Sequence, residues 1–310
     1  MPLITKKRVL GAKIETTAGT VEALTSADGS FNAWDQIVQH ETEMTEVLGQ
    51  SGFGRRASVP GGYKAKCSFK THMGWDGTVT EPTWADTFFP ACGWVKTLQV
   101  FTPRTEAPGT NVKTLTIAIW NDGKYKVLKG CMGTFKIVAP SGKLAVIEWE
   151  FSGVWVPETD VAIVAPTYPT ANALRHANSV STWNSVALCY SSLTFDAGNT
   201  VSPLECAAAE GFGMFIVTDR NSKVTADPES RTVASQDRHA QMLAMTEAAL
   251  TFDIDGPTNS VITIAAPKAQ IVKNTEGDRS GIVVDQLEWQ LNKNVSAVDG
   301  ESTITFTAAV

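Results

Sequence analysis

The feature that most constrains this chain is a strict two-residue alternation. In residues 147–151, Ile147, Trp149 and Phe151 fall on one side of an extended segment and Glu148 and Glu150 on the other, so the strand has one packed and one wet face. Residues 114–120 (TLTIAIW) are β-branched and alternating, and are followed by an Asn-Asp-Gly-Lys turn and by 125–128 (YKVL). Residues 134–138 and 144–151 make a second pair across Pro140-Ser141-Gly142-Lys143. Helix is expected in two places. Residues 82–92 open with Pro82 and carry a small apolar stripe. Residues 235–250 offer Ser235 as N-cap, with Met242, Met245 and Ala249 on one face.

At 310 residues the chain suits one large β domain or two of about 150 residues. Hydrophobic content of 43% supports a core, and 43% hydrophobic with 19% charged residues argues against disorder or coiled coil. The longest apolar runs, such as 161–165, are too short to span a bilayer. Lys6, Lys7 and Arg8 are not followed by a signal-peptide core, so the chain is expected to act where it is made or to leave by lysis or assembly.

A helix, a β-branched strand and an Ile-Glu-Trp-Glu strand appear in that order in the first half. A helix, 261–265 (VITIA) and Leu287-Glu288-Trp289-Gln290 follow in the second, with Lys129 and Lys273 at matching strand ends. This order predicts an internal duplication: an N-terminal β domain over 1–160, a linker over 161–182 and a C-terminal β domain over 183–310. Two segments fit no strand, 49–62 (GQSGFGRRASVPGG) and the polar 219–237. Loops of that length are usually functional or ordered by a partner.

The net charge of −6 is uneven: residues 1–160 hold 17 Lys and Arg against 16 Asp and Glu, and residues 161–310 hold 9 against 16. That is not the basic footprint of a protein that grips nucleic acid. The five cysteines are scattered without a CxxC pair and read as reduced, mostly buried residues. Gly49, Gly52 and Gly54 lack the Gly-Lys-Ser/Thr of a phosphate loop, and Asp253, Asp255 and Gly256 lack the remaining calcium ligands. His40, His72, His176 and His239 are far apart, and no Gly-x-Ser-x-Gly elbow occurs. Glu41/Glu43 and Glu148/Glu150 are paired carboxylates, read as a solvated strand face ahead of a glycosidase pair. No catalytic residue, metal site or cofactor is expected.

Several segments stand in a telling order: Lys13-Ile14-Glu15 with Gly19-Thr20, then Gly52-Phe53-Gly54-Arg55-Arg56, Ala91-Cys92-Gly93-Trp94, and Glu150-Phe151-Ser152-Gly153-Val154-Trp155. Over roughly residues 11–160 this resembles the tail tube proteins (major tail proteins) of long-tailed, siphovirus-like bacteriophages. The resemblance implies two tandem β-sandwich or β-barrel domains, each with a short flanking helix, that oligomerise into a ring through an inter-subunit β-barrel. It also implies a virion protein, assembled in the host bacterial cytoplasm, whose stacked rings conduct genomic DNA. Three copies would complete a pseudo-hexamer. Its partners would be itself, a tape measure protein inside, tail terminator and tail tip proteins at the ends, and double-stranded DNA in transit, with no membrane anchor.

On this reading Glu41, Glu43 and Asp196 line the lumen, and Phe53, Arg55 and Arg56 belong to a loop that stacks ring on ring. The alternatives are another phage structural part, such as a tail terminator or capsid decoration protein, and a carbohydrate-binding β-sandwich. Against the last, Trp84, Trp94, Trp149 and Trp289 sit at positions suited to a core.

Overall fold

The computed structural model describes residues 3–42, 44–49, 54–207, 210–294 and 299–308. The first half forms β1 (Arg8–Ile14), β2 (Ala33–His40), β3 (Met44–Thr45), β4 (Val59–Pro60) and β5 (Lys64–His72). Then come α1 (Thr83–Ala91), β6 (Trp94–Thr97), β7 (Val100–Pro103), β8 (Leu115–Asn121), β9 (Lys124–Pro140) and β10 (Val146–Asp160). The second half forms β11 (Thr182–Trp183), β12 (Val186–Ala187), β13 (Ser192–Asp196), β14 (Asn199–Glu205), β15 (Phe212–Arg220) and β16 (Lys223–Ala226). It ends with α2 (Arg238–Leu243), β17 (Glu247–Asp255), β18 (Val261–Arg279), β19 (Ile282–Leu291) and β20 (Thr303–Thr307). The protein is mainly β, and among the described residues no sheet closes into a barrel.

Strand pairing follows one scheme twice. In the first half the spatial order is β1-β8-β9-β10-β5-β2, and in the second it is β11-β17-β18-β19-β16-β13. The inner four-residue register agrees too: Trp149 lies opposite Phe69 of β5, and Trp289 opposite Val224 of β16. Each scheme carries a hairpin at the same point of the chain, β3–β4 after β2 and β14–β15 after β13. This order pairs residues 114–120 with β17, whereas the sequence comparison set them against the start of β18; it likewise brings Lys136, and not Lys129, into the place of Lys273.

The two schemes join because β9 is long. Beyond a register shift at Leu115/Ile117, β8 covers β9 only as far as Cys131. Residues 136–140 of that edge are taken by β13, antiparallel, with Lys136 opposite Asp196 and Ile137 opposite Phe195. A second connection runs β6-β7-β20-β18. Residues 161–181, the stretch between the halves, hold no strand; they add the isolated bridges of Ala173 to Gly74 and Arg175 to Leu144 and place Leu174 in the core.

One face of the joined sheet is core. Cys67, Phe69, Ile147, Trp149, Phe135, Ile137, Leu193, Phe195, Val224, Leu287, Trp289 and Ile271 alternate inward and belong to one buried cluster. α1 covers it with Trp84, Phe88 and Phe89. Removing that much apolar area from water is the dominant favourable term in such a sheet. The four tryptophans assigned to the core, Trp84, Trp94, Trp149 and Trp289, are all buried. Cys67, Cys92 and Cys131 are free and buried, while Cys189 and Cys206 are exposed.

The second helix is shorter than the sequence predicts. Asp237, not Ser235, caps it by accepting from the Ala240 N–H at 2.8 Å. Met245 then takes a left-handed φ of 53°, and residues from Glu247 pair with β18. Leu250, Phe252 and Ile254 are buried at every second position, so the period-two pattern and its partner strand override the helix preference of the Met- and Ala-rich stretch. The segment 219–237, read as fitting no strand, supplies the end of β15 and all of β16.

Candidate functional site

The face opposite the core is polar across eight neighbouring strands, from β2 through β5, β10, β9, β13, β16 and β19 to β18. Alternation and register place Glu41 just past β2, then Lys66, Ser68 and Lys70, Glu148 and Glu150, and Thr134 and Lys136 on that face. They continue it with Thr194 and Asp196, Lys223 and Thr225, Gln286 and Glu288, and Lys273 and Thr275. The five lysines and five carboxylates among these residues balance.

Most of these charges are bonded to one another across strands. Lys66 lies 3.6 Å from Glu41, Lys70 2.8 Å from Glu148, Lys136 3.0 Å from Asp196 and Lys223 2.8 Å from Glu288. The hydrogen bond to Glu148 and its charge push the Lys70 pKa up, and the bond to Asp196 does the same for Lys136. These pairs are partly exposed, so their worth is local order rather than stability. A groove of about 920 Å³ runs over this face beside β2, bordered by Trp34, Asp35, Lys70, Lys136 and Glu148. It follows a bulge in β2 between Trp34 and Ile37, where Asp35 takes φ of 52°.

Of the residues singled out from sequence, Glu41 and Asp196 therefore share one face, on different strands. Glu43 and Phe53 lie outside the described residues. Arg55 and Arg56 are exposed in the segment before β4, with the Arg55 Nε 3.4 Å from Glu46. Sequence reasoning missed the lysines that partner the carboxylates. Their signal was present in β5, where Lys64, Lys66 and Lys70 alternate with Ala65, Cys67 and Phe69.

The hairpin β14–β15 is the topological counterpart of the 41–63 segment and is docked. Phe215 packs with Val112, with Met132 in the middle of β9 and with Val154 in the middle of β10. Lys129 lies 3.2 Å from Glu210 in the turn, and the Tyr63 N–H donates to the Glu210 carbonyl.

Two of the recurring motifs have structural work to do. The Glu15 carboxylate, buried, accepts from the Gly19 N–H at 2.7 Å, the Thr114 hydroxyl at 2.5 Å, the Thr116 hydroxyl at 2.9 Å and the Gly130 N–H at 2.7 Å. It ties the turn after β1 to β8 and β9. In Ala91-Cys92-Gly93-Trp94, Gly93 takes the left-handed φ of 73° that ends α1 and turns the chain into β6.

Among the described residues no cluster of His, Cys, Asp and Glu could hold a metal ion, and no helix is long and apolar enough to cross a membrane. The chain is mainly β, with a core-backed sheet whose polar face is charge-paired. The family model for phage tail tube proteins matches residues 5–307, nearly the whole chain. The chain belongs to the phage tail tube protein family. Membership makes it a structural component of the virion tail, and a self-assembling one. No curated protein matches it.

Proposed function

We propose that this chain is the repeating subunit of the tail tube, that its rings stack into a conduit for double-stranded DNA, and that the polar face lines the bore. The observation that carries the reading is the polar face across eight strands, broken at Ile37 of β2, with four of its lysines paired to carboxylates. DNA holds on to a protein when free lysines and arginines replace its counterions. A lysine already held by a carboxylate of its own sheet has little to gain from a phosphate, so this face lets the duplex slide. Glu41 and Asp196 act here by neutralising Lys66 and Lys136.

Two matching strand schemes per chain make three copies the natural complement of a six-part ring, with domains over 1–160 and 183–310. Rings stack through the 49–62 loop, with Phe53, Arg55 and Arg56. The tape measure protein occupies the bore during assembly in the host cytoplasm, and terminator and tip proteins close the ends. Electron microscopy of the concentrated purified protein tests this: hollow filaments of constant bore, with threefold or pseudo-sixfold end views, are expected. Single rings that never stack would point to a terminator, and a monomer at every concentration would overturn the tube reading.

A further inference from the structure

We propose that neighbouring copies of this chain join by pairing the outer edge of β2 in one copy with residues 271–279 of β18 in the next, antiparallel, as β13 pairs with β9 inside the chain. The inference rests on the ring reading and adds to it which backbone edges meet and in what register.

The chain contains one finished example of this joint. β9 is flanked by β10 on one side, and on the other by β8 and then β13. Its counterpart β18 is flanked by β20 and then β19 on one side and by β17 on the other, but β17 covers it only as far as Gln270. Among the described residues no strand lies against that edge from Ile271 to Arg279, and α2, which leads into β17, is the element packed close to β18 there. The other half of the joint is equally unfilled. β13 is held by β16 and by β9, whereas β2 has β5 on one side and no strand on the other. Each chain thus carries one filled joint and the two complementary halves of another. Two different edges of one chain associate head to tail, and such an association closes into a ring when its rotation allows. Left open, both edges would be templates for indiscriminate pairing.

The edges are fit to pair. Val272, Lys273, Thr275, Glu276 and Asp278 are exposed, and no proline interrupts either stretch. One carbonyl of β2, that of Gln36 in the bulge, already accepts from the Arg8 guanidinium at 2.8 Å. The tryptophans that align the two schemes set the register. Lys136 opposite Glu148 corresponds to Lys273 opposite Glu288, and Asp196 opposite Lys223 corresponds to Ile37 opposite Ser68. The internal pair Lys136–Asp196 therefore becomes Lys273 against Ile37, with the exposed Asp35 in the adjoining bulge.

A second observation points the same way. The hairpin after β13 buries Phe215 against Met132 of β9 and Val154 of β10. The segment after β2 leaves Met44, Leu48 and Val59 exposed, with Leu48 81% accessible. These are the side chains a neighbouring sheet would cover.

The test is a cysteine pair, Ile37→Cys with Lys273→Cys, in a Cys189→Ser/Cys206→Ser background, oxidised after assembly. Loss of the monomer band into a ladder of disulfide-linked chains that ends at the ring's copy number is expected, with both single-cysteine variants staying monomeric on the gel. Hydrogen exchange on the unmodified chain removes dependence on the variants folding: amides in 33–40 and 271–279 are expected to gain protection between free subunit and ring. Rings that form with neither crosslink nor added protection at these edges overturn this joint and leave the ring reading standing. A wild-type protein that forms no rings overturns both.

Discussion

Trp149 and Trp289 hold the same station in the two strand schemes, yet their surroundings differ. Trp149 lies within ring contact of Phe69, Trp84, Phe88, Phe89, Phe135 and Phe151, and its indole N–H donates to the Thr71 hydroxyl at 2.8 Å. Among the described residues Trp289 has one aromatic neighbour, Trp183, at 6.2 Å between centroids, and its indole nitrogen finds no hydrogen-bond partner. The helices differ likewise: α1 buries Trp84, Ala85, Phe88, Phe89 and Ala91, whereas α2 buries only Arg238, which bonds to Asp285 at 2.6 Å. One strand order can thus be filled by a dense aromatic core or by a thinner aliphatic one. Topology does not require equal packing.

The sharpest way to break this comparison is truncation at the two tryptophans. Trp149→Ala is expected to cost about 4–5 kcal/mol and Trp289→Ala about 3 kcal/mol, read from urea unfolding midpoints. Equal losses would mean the aromatic cluster adds nothing beyond buried area. Both Trp→Phe changes lose buried area, but Trp289→Phe also removes an unpartnered N–H and should cost less than Trp149→Phe, which orphans the Thr71 hydroxyl and should cost about 1–2 kcal/mol.

Next in size is Glu15, which serves only the first scheme. Glu15→Ala strips two backbone N–H groups and two hydroxyls of their acceptor and is expected to cost about 3 kcal/mol. Hydrogen exchange should show the loss concentrated at Gly19 and Gly130.

Acid should weaken the first half and the stretch between the halves. Burial lowers the pKa of His40, His72 and His176 below the ordinary 6.5. The neutral form is favoured in the folded state, so the contribution is complete above 6.5 and is lost as pH falls through 6.5 towards the folded values. Urea midpoints should fall between about pH 7.5 and about 5.5, and His176→Gln should flatten the slope. An unchanged slope would assign the acid sensitivity to carboxylates.

The smallest effect is expected at the internal joint. Asp196→Asn breaks a partly exposed pair with Lys136 and should cost below about 1 kcal/mol, less still at high salt. Backbone pairing between β9 and β13 carries the joint, so a larger loss would show that the charges fix its register. The same variant frees Lys136 and should raise non-specific DNA retention of the assembled protein at low salt.

The sequence by itself determined the strand faces, the first helix and the left-handed turn at Gly93. Each of these depends on residues close along the chain: alternation needs only next-but-one neighbours, and a left-handed turn needs only its glycine. Only the tertiary structure decided which strands pair, that 247–250 extend β17 although their composition favours helix, and that lysines of β5, β9 and β16 meet carboxylates of the 41–63 segment, β10, β13 and β19. Those outcomes come from long-range register. A one-residue slip would send every side chain to the opposite face, and the buried aromatic core forbids it.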